Sequence, residues 1–163
     1  RYKSGKYTIE RPLHLGAVIA QPTATEHSEL LNVLSAYGLP LGEAFQLRDD
    51  MLGIFGDPET TGKPAGDDLR EGKRTVLMAM TMEKATEAAR SELAAHLGKP
   101  GLSPEKIESL RALIIDTGAV ADVEKLIDRL GEESVAAAHS AAIHDSARPF
   151  LLALAETAIR RSY

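Results

Sequence analysis

The hydrophobic residues between positions 30 and 45 recur with the period of an α-helix, and this spacing is the strongest constraint on the fold. They are Leu30, Leu31, Leu34, Tyr37, Leu41, Ala44 and Phe45. Such spacing places them along one side of a helix. Alanine and leucine dominate the chain, which favours helix over strand, and no segment alternates as a strand would. We therefore predict one all-α region across the 163 residues.

Proline and glycine indicate where the helices begin and end. Pro12 is expected to kink or end a first helix, and Pro40 to bend or split a second. Pro149 lies early in the last predicted helix. The predicted helices cover residues 1–20, 25–55, 75–97, 104–118 and 120–142, and the last one ends near 161. A break is expected at 21–23, a loop over 56–73 and a turn at 98–101.

Composition excludes several functions. The net charge of −5 argues against general nucleic-acid binding. Cysteine is absent, so the chain has neither a disulfide framework nor a thiolate metal site, which fits a cytoplasmic protein. No apolar run approaches the roughly 20 residues that cross a bilayer. We expect no transmembrane segment and no nucleic-acid partner.

Two neighbouring segments combine carboxylates with lysines. Residues 45–50 read Phe-Gln-Leu-Arg-Asp-Asp, and residues 62–75 form a Gly- and Pro-containing segment with Lys63 and Lys73. Carboxylates bind hard cations such as Mg²⁺, and lysines bind phosphate oxygens. The two segments together predict a site for a metal-bound diphosphate. A nucleotide-binding P-loop is rejected, because Pro64 follows Lys63 where a hydroxyl residue should bind Mg²⁺ and no strand precedes it.

These segments resemble the second aspartate-rich region of the trans-isoprenyl diphosphate synthases, in which Phe-Gln-x-x-Asp-Asp is followed by Gly-Lys and Glu-Gly-Lys-x-Thr. Residues 3–8, Lys-Ser-Gly-Lys-Tyr-Thr, resemble the family's Lys-Thr/Ser-Gly-x-Tyr segment, and residues 12–17 resemble the stretch that follows it. The residues of these motifs are most similar to those of the bacterial geranylgeranyl-type members. The resemblance implies an isoprenoid-synthase-type helical bundle, of which this chain is interpreted as the C-terminal half.

The resemblance implies a prenyltransferase that condenses isopentenyl diphosphate with an allylic diphosphate to a trans-prenyl diphosphate of geranylgeranyl or farnesyl type. It implies Mg²⁺ as the cofactor, with Asp49 as a direct ligand and Asp50 acting through water. Gln46, one helical turn before Asp50, would present its carbonyl dipole to the developing allylic cation. Ser4 would face the same cation from a local break in its helix.

The resemblance also implies a set of substrate-binding side chains. Lys3 and Lys63 would hold the allylic diphosphate, and Lys73 would assist them. Phe45 and Tyr7 would line the substrate site. Family members are typically homodimers, so a second copy is the expected protein partner.

The chain departs from the family pattern at Gly53, where the third aspartate of Asp-Asp-x-x-Asp should stand. Asp57, close to the following loop, could supply the missing charge. Asp67 and Asp68 could pair with Lys63, Arg70 or Lys73, or could be ordinary loop acids.

The family's first aspartate-rich motif, which lies upstream in longer chains, is also absent. We therefore expect these 163 residues alone to be inactive. Two alternatives remain open: a non-catalytic subunit that binds diphosphate or a partner chain, and a helical interaction protein with a degenerate site.

Overall fold

The computed structural model describes residues 2–20, 28–62, 64 and 66–160, and within these ranges it contains helices and turns but no strand. The prediction of an all-α fold is confirmed for this part of the chain. The described residues divide into two compact units. The first contains the residues up to Gln46 and those from Leu126 to Arg160, and the second contains Leu47–Lys125.

The chain begins with a π-helix, Tyr2–Glu10, which continues directly into α1, Arg11–Ala20. Pro12 is the second residue of α1 and lies where the π-helix changes to an α-helix, so it does not end the helical segment. Near Ser4, where a local break was expected, the chain is a continuous π-helix rather than a broken α-helix. The break predicted at residues 21–23 lies outside the described residues.

Helix α2, Ser28–Phe55, runs unbroken through Pro40. Proline removes the N–H that would bond to the carbonyl four residues earlier. Here that residue is Ala36, which is exposed, so water can bind its carbonyl. Of the two outcomes expected at Pro40, the split does not occur, and the bend stays a prediction.

Two short helices, α3 (Pro58–Thr61) and α4 (Asp67–Glu71), occupy the segment that was predicted to be a loop. Asp57 caps α3 by accepting a hydrogen bond from the Glu59 N–H at 3.0 Å. Gly72 ends α4 with a positive φ of 66°. The prediction missed both helices because each is at most five residues long and lies between glycines and prolines.

The predicted helix over 75–97 is two helices, α5 (Val76–Lys84) and α6 (Glu87–His96). Thr86 begins α6 by accepting a hydrogen bond from the Ala89 N–H. The Arg90 guanidinium donates to the Met82 and Ala85 carbonyls at 3.0 and 3.2 Å, at the end of α5. These side chains satisfy the backbone groups at the break, so the helix can end without a proline or glycine.

The remaining helices are α7 (Pro104–Asp116), α8 (Ala119–Ala138) and α9 (Arg148–Ile159). Helix α7 begins as predicted, with Ser103 as its cap. Helix α8 ends four residues earlier than predicted, and turns follow it. Arg148 donates to the Ala138 and Ile143 carbonyls at 3.2 Å, which stabilises this early end.

Each unit has its own buried apolar residues. In the first unit Tyr37 and Leu41 of α2 pack with Ala138, Ala155 and Ala158. In the second unit the fully buried residues include Met51, Ile54, Leu69, Leu77, Leu93, Ile107, Leu110 and Ile114. Of the helices in the described ranges, none combines the length and the apolarity that a membrane crossing requires.

Candidate functional site

Lys73 lies between two carboxylates of the second unit. Its ammonium Nζ is 3.1 Å from Asp50 Oδ1 and 3.0 Å from Asp68 Oδ2. The Asp50 and Asp68 side chains are only 9% and 7% exposed, whereas that of Lys73 is 38% exposed. Asp68 thus pairs with Lys73, one of the partners suggested for it; Lys63, another of them, lies outside the described residues.

The pKa values at this cluster reflect burial and pairing. Burial raises the pKa of the Asp68 carboxyl, and the hydrogen bond and charge of Lys73 oppose that rise without cancelling it. Burial alone would lower the pKa of Lys73, but its hydrogen bonds to Asp68 and Asp50 outweigh burial and raise it. Lys73 is therefore a permanent cation at neutral pH.

Gly53 lies directly beneath the Asp68 carboxylate. A Cβ atom built on Gly53 would be 2.3–2.6 Å from the carboxyl carbon and oxygens of Asp68. These distances are too short for any real contact, so a side chain at position 53 would force Asp68 to move. Gly53, which departs from the family pattern, is thus the residue against which the Asp68 carboxylate packs.

Asp49 differs from Asp50 in its surroundings. It is half-buried, and its carboxylate makes no hydrogen bond or ion pair with any residue in the described part of the chain. A carboxylate without a protein partner can bind a cation without first losing an interaction. Asp57, the suggested third acid, caps α3, and its part in a metal site stays a prediction.

Arg48, next to Asp49, pairs with Glu124 of α8. Its two terminal nitrogens donate to the two Glu124 carboxylate oxygens at 2.6 and 2.7 Å. This two-point geometry fixes both side chains more firmly than a single contact would. The pair was not predicted, because the partners are 76 residues apart and no local pattern connects them.

In the first unit, Ser4 of the π-helix and Gln46 of α2 lie next to each other. Ser4 Oγ donates to Gln46 Oε1 at 2.5 Å. Gly42, one turn earlier on α2, makes this approach possible, since a Cβ there would be 2.5 Å from the Gly5 Cα and 2.7 Å from the Ser4 carbonyl oxygen. Gly42 is therefore the residue in the sequence that marks this close approach.

The other predicted substrate-binding residues are distributed differently. Phe45 packs against the core of the first unit and is only partly buried. Tyr7 is 79% exposed, so the described residues do not bring it into a site. Lys63 lies outside the described residues, and for Lys3 the structure describes the backbone in the π-helix but not the side chain.

The donor set fits Mg²⁺. This ion commonly binds one or two protein carboxylates and completes its octahedron with water and phosphate oxygens. Asp49 and Asp50 supply such carboxylates. Within the ranges that the structure describes, no three Asp, Glu, His or Cys side chains converge as a metal cluster, so the protein there offers no closed cage.

Comparisons with known proteins agree with this picture. The model of the polyprenyl synthetase family matches residues 1–114. The geranylgeranyl diphosphate synthase of Mycobacterium tuberculosis is 34% identical over 148 residues, which are 90% of this chain and 40% of that protein. The geranylfarnesyl diphosphate synthase of Aeropyrum pernix is 38% identical over 120 residues, which are 74% of this chain and 35% of that protein.

A solved structure gives the same result in three dimensions. The crystal structure of geranylgeranyl pyrophosphate synthase from Corynebacterium glutamicum, complexed with isoprenyl diphosphate and magnesium, superposes with a TM-score of 0.91 at 46% identity. The match covers 99% of this chain and 45% of that one. The chain thus spans less than half the length of these relatives.

The fold and these similarities define an all-α protein of the isoprenoid synthase class. The chain belongs to the polyprenyl synthetase family, whose model matches well over half of its residues. The resemblance stated from the sequence motifs is thereby confirmed.

Proposed function

We propose that the gene product carrying these residues is a Mg²⁺-dependent prenyltransferase. It joins isopentenyl diphosphate to an allylic diphosphate and releases a trans-prenyl diphosphate of geranylgeranyl or farnesyl type. The observation that carries the proposal is the 46% identity and TM-score of 0.91 with the C. glutamicum synthase, which is complexed with isoprenyl diphosphate and magnesium. Asp49, Asp50, Lys63 and Lys73 stand in this chain with the spacing that the family motif requires.

In this proposal Asp49 binds Mg²⁺ directly, and Asp50 binds it through water. The unpaired state of Asp49 within the described residues supports the first assignment, and the contact of Asp50 with Lys73 supports the second. When bound, Mg²⁺ supplies positive charge that stabilises the departing diphosphate. Lys3 and Lys63 add positive charge to the same group, and the assistance expected from Lys73 stays a prediction.

The remaining residues act on the carbon skeleton. The allylic C–O bond breaks, its electron pair leaves with the diphosphate, and an allylic cation remains. The double bond of isopentenyl diphosphate attacks this cation, a C–C bond forms, and a proton is lost to the released diphosphate. Gln46 presents a carbonyl dipole to the cation, and its hydrogen bond from Ser4 fixes the orientation of that carbonyl.

Replacing Asp49 tests the proposal most directly. We expect Asp49→Ala in the gene product to abolish condensation while leaving the helical circular dichroism unchanged, because a lost metal ligand removes several kcal/mol of transition-state stabilisation. The assay follows incorporation of radiolabelled isopentenyl diphosphate with geranyl and farnesyl diphosphate as co-substrates. The matched control is Asp116→Ala, which removes an exposed carboxylate at the end of α7 that belongs to no proposed site.

Near-normal turnover of the Asp49→Ala protein would contradict the proposal. So would equal activity in Mg²⁺ and in excess chelator. A protein that binds Mg²⁺ and diphosphate but never forms product with any allylic co-substrate would instead favour the non-catalytic subunit.

The resemblance also supports proposals about assembly and location. We expect a homodimer that works in the cytoplasm. Exposed apolar side chains, among them Leu15 and Ile19 of α1 and Phe150 of α9, are available for association. Multi-angle light scattering across a concentration series tests the dimer, and a mass that stays monomeric at high concentration would contradict it. Cell fractionation tests the location.

A further inference from the structure

Helix α4 approaches α2 at Gly53 through a charged side chain. The Asp68 carboxylate occupies the space in which a side chain at position 53 would begin. Leu69, the next residue of α4, is fully buried and accepts a hydrogen bond on its carbonyl from the Gly98 N–H at 3.0 Å. Both contacts hold the backbone of α4 in place, so room for a side chain at position 53 must come from rotation of the Asp68 side chain.

Lys73 completes the arrangement from the C-terminal side of α4. Its N–H donates to the Asp68 carbonyl at 3.0 Å, and its ammonium reaches the Asp68 and Asp50 carboxylates at 3.0 and 3.1 Å. One residue therefore contacts Asp68 through both backbone and side chain. The three side chains form a bridge, Asp50–Lys73–Asp68, that we call the acid–lysine bridge.

The bridge controls where the Asp50 carboxylate can lie. Two carboxylates with less than a tenth of their side chains exposed repel each other unless a cation lies between them. Lys73 supplies that cation and draws one Asp50 oxygen toward α4. Asp50 is thus restrained next to Asp49, whose carboxylate has no such restraint among the described residues.

We propose that Lys73 and Asp68 are positioning residues that hold Asp50 in place beside Asp49, and that Gly53 is required because only its lack of a side chain admits the Asp68 carboxylate. The effect of this restraint on Mg²⁺ rests on the proposed function, since Asp50 is one of the two aspartates proposed to bind the ion. It assigns Lys73 a role through Asp50 rather than only through direct contact with diphosphate.

The first test measures unfolding of the 163-residue chain and needs no ligand. Gly53→Ala should lower Tm, because the new Cβ meets the Asp68 carboxyl atoms. In an Asp68→Ala background the same substitution should cause no further loss, because those atoms are gone. The control is Gly16→Ala in α1, where nothing lies within 4 Å of the new Cβ and no loss is expected in either background.

The second test measures the Mg²⁺ concentration that gives half-maximal binding of inorganic diphosphate by titration calorimetry. Removing a residue that orients a metal ligand typically weakens metal binding about 10- to 100-fold. We expect Lys73→Met and Asp68→Asn each to raise this concentration about tenfold or more, and the double variant to add little. Lys73→Arg, which keeps two donors and the charge, should restore most of the binding.

Asp68→Asn separates the two possible roles of Lys73. If Lys73 acted only by binding diphosphate, this substitution would release the lysine and leave diphosphate binding equal or stronger. That result would overturn the proposal, and so would full additivity of Gly53→Ala and Asp68→Ala in the unfolding test. Absence of any Mg²⁺-dependent diphosphate binding by the unmodified gene product would overturn the proposed function, whereas the fit of Asp68 over Gly53 is tested separately by the unfolding measurements.

Discussion

Tyr37 shows how one buried hydroxyl connects stability to pH. Its ring is fully buried, and its hydroxyl donates to the Leu151 carbonyl at 2.8 Å. Burial raises the pKa of Tyr37 from 10.0 to about 12. The unfolded chain therefore loses this proton at lower pH than the folded chain, so the stabilisation is complete below pH 10 and declines as the pH rises toward 12.

We expect the free energy of unfolding to fall above pH 10 by at most about 1.4 kcal/mol per pH unit on account of Tyr37. The Tyr37→Phe variant should be about 1 kcal/mol less stable at neutral pH, because the Leu151 carbonyl loses its donor. The difference between the two proteins should then shrink from pH 10 upward, since their other groups titrate alike. Urea unfolding at several pH values measures this difference in the free energy of unfolding. A difference that stays constant up to pH 12 would show that Tyr37 does not cause the pH dependence.

The residues of the candidate site were predictable where a local motif marks them. The paired aspartates, Gln46, Ser4 and Lys73 stand in short runs with a recognisable order. The acid–lysine bridge was only one of several open pairings, because the sequence does not specify which lysine reaches Asp68. Nothing local marked the Arg48–Glu124 pair, since contacts across 76 residues depend on the packing of whole helices.

At the scale of helices, Gly42 determines how closely the N-terminal π-helix approaches α2. A Cβ there would collide with backbone atoms of residues 4 and 5, which cannot rotate away as a side chain could. Gly42→Ala should cost about 1–3 kcal/mol by overpacking, which exceeds the gain of up to about 1 kcal/mol in helix propensity. Thermal unfolding measures the loss.

Gly16→Ala in α1 is the matched control, because open space surrounds it and a small gain in stability is expected. Gly42→Ala should also weaken the Ser4–Gln46 hydrogen bond by moving Ser4. A variant as stable as the parent would mean that the π-helix can separate from α2 at no cost.

The Arg48–Glu124 pair connects α2 to α8 within the second unit. The Arg48 side chain is 9% exposed and that of Glu124 is 29% exposed, so the arginine depends more on its partner. We expect Glu124→Ala to cost about 3 kcal/mol, the low end for breaking a buried pair, and Arg48→Met to cost less. The double variant should cost less than the sum. Additive losses in denaturant unfolding would argue against direct coupling.

The boundaries of the helices show where sequence reasoning succeeds. The start of α7 at Ser-Pro and the end of α2 before Gly-Asp-Pro were predicted correctly, because these residues start or stop a helix within one turn. The break between α5 and α6 was missed because Arg90 satisfies carbonyls of the preceding helix, and an arginine inside a helix has no distinctive pattern. The early end of α8 depends on Arg148 in the same way.

For the whole molecule, the activity expected of the isolated chain depends on how much of its relatives' length it covers. Because these residues correspond to less than half of the synthases they match, we expect the isolated chain to bind Mg²⁺–diphosphate weakly and to form no prenyl product. Orientation of two substrates can supply about 7–11 kcal/mol of a barrier, and one pair of carboxylates cannot provide it. Titration calorimetry and a radiolabel assay measure the two quantities.

Lys63→Ala should weaken this binding, whereas Lys125→Ala, which removes an exposed lysine of α8, should not. Synthesis of farnesyl or geranylgeranyl diphosphate at an enzymatic rate by the purified 163-residue chain would overturn the expectation.

The close fit of Asp68 over Gly53 constrains the order in which this protein can change during evolution. A side chain can be accepted at position 53 only after the carboxylate above it has moved or been lost. Loss of that carboxylate first would leave Lys73 with one fewer acidic partner. Changes at the two positions should therefore depend on each other. We expect residues other than glycine at position 53 in relatives in which Asp68 has been replaced or α4 has moved.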